Sequence, residues 1–261
     1  DKGFTIADDT LEAIIDGYTF EAGVRKLEEI INTLCGKAAR QFLEKGTMPQ
    51  FTPENLVEYL GAGMDRGIEK EFTKQNSIGV SNAIYVAKMG GVKIKGGLNF
   101  IETTIMPGKR GTLSLTGNLG NTWQESAKIA RSYARAHAQE IGIGNINFDE
   151  YEIHIHTIPS DGMDGPSAGA AILSSIVSAL SKKPFNSSYA MTGELSLTGK
   201  ILPIGGLKEK LLAAKKSGIK KVIIPQGNVP DLVELRDIIK DMEIIPVSYA
   251  HEVLEKVLLP K

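Results

Sequence analysis

Cysteine occurs once in the 261 residues, at Cys35. No internal disulfide can form, and a reducing compartment is expected, cytoplasmic or mitochondrial matrix. Aromatic residues make up only 6%, so the core has to come from Ile, Leu, Val and Ala. No apolar run reaches the roughly 18 residues that a membrane-spanning helix needs, and no membrane partner is expected. Neither sign of charge is in excess: 30 Lys and Arg face 31 Asp and Glu, for a net charge of -1. Nothing in that balance indicates nucleic acid or an anionic surface. An initial methionine is also missing, and the abrupt start at Asp1-Lys2-Gly3 reads as an excised fragment. What is present is 42% hydrophobic content and 28 glycines, enough for one large domain or two modest ones joined by many tight turns.

The first sixty residues carry a helical period. Asp8-Asp9-Thr10 offers caps before Leu11, Ile14, Ile15 and Tyr18, and Thr19 can cap a run with Val24, Leu27, Ile31, Leu34, Ala38 and Phe42 on one face. Thr52-Pro53-Glu54 opens a third helix that Gly61 can close. The polar stretch 62–77 reads as a linker between a helical unit at 1–61 and a second unit at 78–261. Beyond it, strand signals at Ser81 to Val86, Asn99 to Ile105 and Gly111 to Leu115 surround a glycine-rich hairpin at 90–97. Thr122-Trp123-Gln124-Glu125 has the capping-box pattern for a helix stopped near Gly142. Strands are expected at Tyr151 to Thr157, Tyr189 to Thr192, Leu195 to Leu202, Val222 to Ile224 and Ile244 to Val247. They alternate with helices at about Pro166 to Leu180, Leu207 to Lys216, Leu232 to Ile239 and from His251, which is an α/β pattern.

The segment from Asp161 to Ala171 is the most unusual: a glycine turn runs into a helix begun by Pro166 whose first residues are all small. Ser167 stands there, near main-chain N–H groups that suit an oxyanion or a phosphate. Three readings are open for it: an ordinary helix cap, a phosphate cradle without the P-loop pattern G-x-x-x-x-G-K-S/T, or a nucleophile. A nucleophile needs a base, and there are four histidines. His137 falls in a helix, His251 opens the last helix, and His154 with His156 share one face of a strand. None makes a G-x-S-x-G elbow with Ser167, and two histidines without a third ligand do not make a metal site. Lysine is the other candidate. On the helix from Leu207, Lys210 lies about 67° from the centre of the apolar stripe and Lys208 about 93°. A lysine base must work far below its ordinary pKa of about 10.4, at about 7–8, and burial among apolar residues is the means.

Together, Asp164-Gly165-Pro166-Ser167-Ala168-Gly169, Met191-Thr192-Gly193-Glu194 and Leu202-Pro203-Ile204-Gly205-Gly206-Leu207-Lys208-Glu209-Lys210-Leu211 resemble the proteolytic domain of the Lon family. Pro107 to Gly111, Leu115 to Gly120 and Gln124-Glu125-Ser126 read the same way, and Tyr18 to Glu28 is similar to the helical lid of the Lon AAA+ module. The resemblance implies an α+β or α/β protein: a small helical lid followed by a proteolytic domain of ribosomal S5 domain 2-like fold. It implies a Ser-Lys endopeptidase with Ser167 as nucleophile, Lys210 as general base and Thr192 orienting the lysine. Asp164 and Glu194 take supporting roles, and Arg25 takes that of the lid arginine that senses nucleotide. It implies unfolded or damaged proteins as substrates and a homo-hexameric ring as the assembly. No cofactor is expected in this fragment, which has no Walker A sequence, while ATP and Mg are expected for a full-length protein with an intact ATPase core. Two departures stand out. The family's Thr-Gly-Leu segment is absent around Ile78 to Tyr85, and the hairpin at 90–97 is longer than expected. They leave open a Lon-like module with altered ATP coupling or a catalytically silent assembly domain.

Overall fold

In the run Val222-Ile223-Ile224 every residue is apolar, which suits a strand covered on both faces. Successive side chains point to opposite sides, so Val222 and Ile224 enter one hydrophobic cluster and Ile223 another. The computed structural model describes residues 4–19, 21, 23–63, 68–89, 92–108, 110–160 and 162–260. Of the positions singled out from sequence, Asp1, Lys2, Gly3, Phe20, Ala22, Gly90, Gly91, Lys109 and Asp161 lie outside them. The chain divides into two units, residues 1–68 with 88–95 and residues 69–87 with 96–261.

The first unit holds α1 (Asp8–Tyr18), α2 (Arg25–Lys45) and α3 (Leu56–Leu60) around Ile14, Ile30, Leu34, Ala38, Phe51 and Leu56. Thr19 does not cap α2. Its hydroxyl donates to the Ile15 carbonyl at 2.8 Å and closes α1. Glu21 caps α2 instead, accepting from the N–H groups of Lys26 at 2.8 Å and Leu27 at 3.0 Å. A carboxylate is the stronger acceptor at the positive end of a helix, and these bonds, Lys26's first, hold the Glu21 carboxyl below its usual range. The third helix starts later than Thr52-Pro53-Glu54 suggests. The Thr52 carbonyl accepts from both Asn55 and Leu56 at 3.2 Å, so these residues form a turn ahead of α3. A further helix, α4 (Ile68–Thr73), stands within the 62–77 stretch.

The second unit is built on a seven-stranded, mostly parallel sheet. Its strands are β1 (Val80–Met89), β2 (Val92–Pro107), β3 (Leu113–Thr116), β4 (Tyr151–Ile158), β5 (Tyr189–Met191), β8 (Lys221–Pro225) and β9 (Glu243–Val247), in the order β3-β4-β2-β1-β5-β8-β9. One face is covered by α5 (Asn121–Ala136), the fully buried α6 (Gly169–Ser181) and α9 (Ala250–Val257). Over part of the other face pack α7 (Leu207–Lys216) and the segment through α8 (Arg236–Ile239). The mixed α/β class read from the sequence is the one the structure has.

Several boundaries moved for local reasons. The run Leu195 to Leu202 is two short strands, β6 (Glu194–Leu195) and β7 (Ile201–Leu202), because Gly199 at φ 79° turns the chain back. The helix expected from Leu232 is a 3-10 segment, Gln226–Leu235, before α8. Pro230 within it has no N–H for an α-helical ladder. Helix α5 ends at Ala136 rather than near Gly142.

Ile172 is completely buried in α6 beneath the sheet. Ile172→Ala should cost about 2–5 kcal/mol, seen as a lower urea midpoint with an unchanged slope. An unchanged midpoint would contradict this packing.

Candidate active site

Ser167 does not lie inside a helix. Regular helix begins at Gly169, and Pro166 to Ala168 form a tight turn closed by the Gly169 N–H on the Pro166 carbonyl at 3.2 Å. The cause is the neighbouring strand end. Gly193 donates to the Ser167 carbonyl at 2.8 Å, and the Ala170 N–H donates to the Gly193 carbonyl at 3.1 Å. This reciprocal pair draws the first turn of α6 toward the segment after β5. Gly169 allows the approach, since a Cβ there would stand 2.7 Å from the Leu195 nitrogen.

The other side of the loop is held by Asp164. Its Oδ1 accepts from the Trp123 N–H at 3.1 Å and from the Gly165 N–H at 2.8 Å. The capping box read at Thr122 is not formed: α5 begins at Asn121 with no side-chain cap from Gly120, and Asp164 supplies the acceptor from a distant part of the chain. A carboxylate at a helix N-terminus satisfies a donor that has no partner within the helix and suits the dipole. Gly120 also donates to the Met163 carbonyl at 2.8 Å. A Cβ on Gly120 would lie 2.3 Å from the Asp164 Cγ, so only glycine admits the carboxylate.

Thr192 follows the end of β5, 1% exposed, with its N–H on the Ile223 carbonyl of β8 at 3.1 Å. Its hydroxyl donates to the Ser167 carbonyl at 3.3 Å and accepts from the Lys210 Nζ at 2.8 Å. Lys210 is 3% exposed in the first turn of α7, while Lys208 is exposed. Gly206, at φ 75° in the left-handed region, turns the chain into α7. Ser167 therefore leads into a helix on one face of the sheet, Lys210 comes from a helix on the other, and Thr192 joins them past the carboxyl end of β5. Open α/β sheets place their sites at such strand ends.

The comparisons with known proteins agree along nearly the whole length. The model for the Lon protease (S16) C-terminal proteolytic domain matches residues 50–260, and that for the Lon protease AAA+ ATPase lid domain matches residues 1–50. The chain belongs to the Lon protease family. The Lon protease of Desulfatibacillum aliphaticivorans is 42% identical over 99% of the chain. Lon protease 2 of Thermus thermophilus is 41% identical over 97%, and the Lon protease of Rhizobium meliloti 43% over 98%. The chain spans 31% of the length of each of these relatives.

The remaining Lon-motif residues lie outside the Ser167, Thr192 and Lys210 chain of bonds. Glu194 opens β6 opposite Leu202 and is partly buried. Arg25 begins α2 in the first unit with a 92% exposed side chain, 3.8 Å from Glu29. The four histidines are engaged elsewhere. The Thr116 hydroxyl sits between His154 Nε2 at 3.1 Å and His156 Nδ1 at 2.8 Å, His137 meets Glu140 at 2.8 Å, and His251 stacks on Tyr249. Among the described residues no group of three His, Cys, Asp or Glu is placed to hold a metal. Gly193, Trp123 and Gly120 were not assigned site roles from sequence. They act through main-chain groups or the lack of a side chain, and only a glycine in a motif hints at that.

Gly120→Ala tests the loop anchor. The Cβ should displace Asp164, and Asp164→Ala should remove the same cap at a cost of about 1 kcal/mol. Both variants should unfold earlier in urea and capture a peptide boronate more slowly. Equal capture by both variants and the wild type would remove Asp164 from any role in the loop.

Proposed function

We propose that this chain is the catalytic part of an ATP-dependent Lon-type serine endopeptidase that uses a Ser167–Lys210 dyad. The observation that carries the reading is the bond from Lys210 Nζ to Thr192 Oγ1 at 2.8 Å between two buried side chains. The Thr192 proton is directed at the Ser167 carbonyl, so the hydroxyl faces Nζ as an acceptor. A neutral amine that donates one N–H there keeps its lone pair for the serine. Lys210 is 3% exposed, and burial is the general means by which an amine becomes a base near neutrality.

In the reaction, Lys210 takes the Ser167 hydroxyl proton as Oγ attacks the scissile carbonyl carbon. Main-chain N–H groups beside Ser167 receive the oxyanion. The lysine then passes the proton to the departing amine nitrogen as the C–N bond breaks, leaving an acyl-enzyme. Water, deprotonated by the same lysine, cleaves that ester and restores Ser167. Asp164 and Glu194 support the site from outside the dyad.

The substrates are unfolded or damaged polypeptides, the assembly is a homo-hexamer, and the setting is cytoplasmic. ATP with Mg belongs to the full-length protein, where hydrolysis would drive substrate delivery. In this chain Arg25 is the residue for such a role: its side chain is 92% exposed and its guanidinium suits a phosphate, and no catalytic step runs through it.

The test is degradation of an unfolded protein and a fluorogenic peptide at matched oligomeric state. Ser167→Ala and Lys210→Ala should each lower turnover about a thousandfold or more, and Ser167→Ala should lose covalent capture by a peptide boronate. Cleavage unaffected by either change would sink the dyad. Thr192→Val should lower kcat about 10- to 100-fold, the loss expected for a hydrogen bond to a catalytic group, and Thr192→Ser should restore most of it. Equal rates for Val and Ser would remove the hydroxyl from the mechanism.

A further inference from the structure

Among the described residues strand β3 is the outermost of the sheet and pairs, in parallel, with β4 alone. The Ile153 N–H donates to the Thr112 carbonyl at 3.0 Å. Main-chain groups of alternate residues face alternate sides of a strand. Thr112, Ser114 and Thr116 therefore turn theirs toward β4, and Leu113 and Leu115 turn theirs to the open edge. Beside that edge, between β3 and α5, lies a cleft of about 430 Å³ lined by Leu113, Leu115, Gln124, Lys128, Arg131 and Ser132. Leu113 and Leu115 line it from the strand, and the charged groups of its lining are both cations.

The acids at this edge are engaged: Glu152 accepts from the Ser114 hydroxyl of β3 at 2.6 Å. Both carboxylate oxygens of Asp149 pair with Arg135, at 3.0 and 2.9 Å. A terminal nitrogen of Arg131 donates to the Gly111 carbonyl, but its buried Nε has no hydrogen-bond partner among the described residues. Burial, and then the charge of Arg135, push the Arg131 guanidinium below its ordinary value. The wall thus carries Lys128 and an Arg131 with one unpaired donor among the described residues, beside a strand edge with main-chain groups to pair.

We propose that this cleft is a subsite for an extended polypeptide with an acidic side chain, which pairs with the free edge of β3 and sets its carboxylate against Lys128 and Arg131. The inference rests on the protease reading and names a preferred substrate class for it. Distance sets the position. The first turn of α5 is bonded through Trp123 to Asp164, next to the Ser167 turn, and at 1.5 Å per residue Lys128 stands about 7–8 Å further along the helix. At about 3.3 Å per residue of extended chain, that span is a little over two residues, so the acidic side chain falls within a few residues of the bond that Ser167 attacks. The free edge favours a peptide over a small anion, because a small anion would leave the Leu113 and Leu115 main-chain groups unused.

Binding is measured by fluorescence anisotropy on full-length Ser167→Ala protein. The probes are a labelled peptide with Glu at alternate positions, its Gln counterpart, and the Glu peptide N-methylated at alternate amides. The Glu peptide should bind about five- to tenfold tighter than the Gln peptide, a difference typical of partly exposed charge pairs, and the two should converge as salt rises. Adding Lys128→Glu, with the fold checked by circular dichroism, should abolish or reverse the preference. N-methylation should weaken binding at least tenfold, because it removes the donors that pair with the edge. Equal affinities for the Glu and Gln peptides, a preference that survives Lys128→Glu, or indifference to N-methylation would each overturn the proposal. Because Ser167→Ala needs no turnover, these outcomes stand apart from the fate of the dyad, which is read from cleavage.

Discussion

The bonds made by the Thr192 hydroxyl join two layers of the second unit that otherwise have a sheet between them. Ser167 leads into α6 in the layer with α5 and α9, and Lys210 projects from α7 in the opposite layer. Groups from both layers meet past the carboxyl end of β5. Thr192 stands there with its main chain tied to β8 and its hydroxyl between the Ser167 carbonyl and the Lys210 amine. A hydroxyl suits the place because it both donates and accepts. Proton transfer in the proposed reaction depends on that one group being held in register by the sheet.

The turn at Ser167 is fixed from two directions. On one side the exchange of main-chain bonds with Gly193 ties it to the strand end. On the other, Asp164 reaches into the first turn of α5. Each contact depends on a missing side chain, at Gly169 and at Gly120. Small residues in this segment thus let elements approach closely, with flexibility a lesser consideration. The start of α5 becomes part of the site's foundation.

Much of this was legible along the chain. The period of α1, α2 and α7, the all-apolar strand β8 and the alternation of strands with helices follow from local rules, and Leu207–Lys216 is the α7 the sequence predicts. The motifs around Ser167, Thr192 and Lys210 carried the family. Capping was the weak point. At Thr19, Thr52 and Thr122 a suitable hydroxyl lay next to a helical run, yet Glu21 and Asp164 took two of those roles and a turn replaced the third. A cap needs an acceptor at the right point in space, and a carboxylate brought in by folding competes well with a local hydroxyl.

The sequence by itself determined the α/β class, the helical and mixed segments, the lack of a disulfide and the residue types available for a Ser-Lys pair. Angles along α7 separated Lys210 from Lys208 only slightly, because a helical wheel gives direction but not what lies in that direction. The tertiary structure decided that Lys210 is enclosed and bonded to Thr192 while Lys208 is exposed. It also decided that the acid before Ser167 anchors a helix. These outcomes depend on groups far apart in the chain meeting at the carboxyl ends of the sheet's strands, and local periodicity carries no information about such meetings.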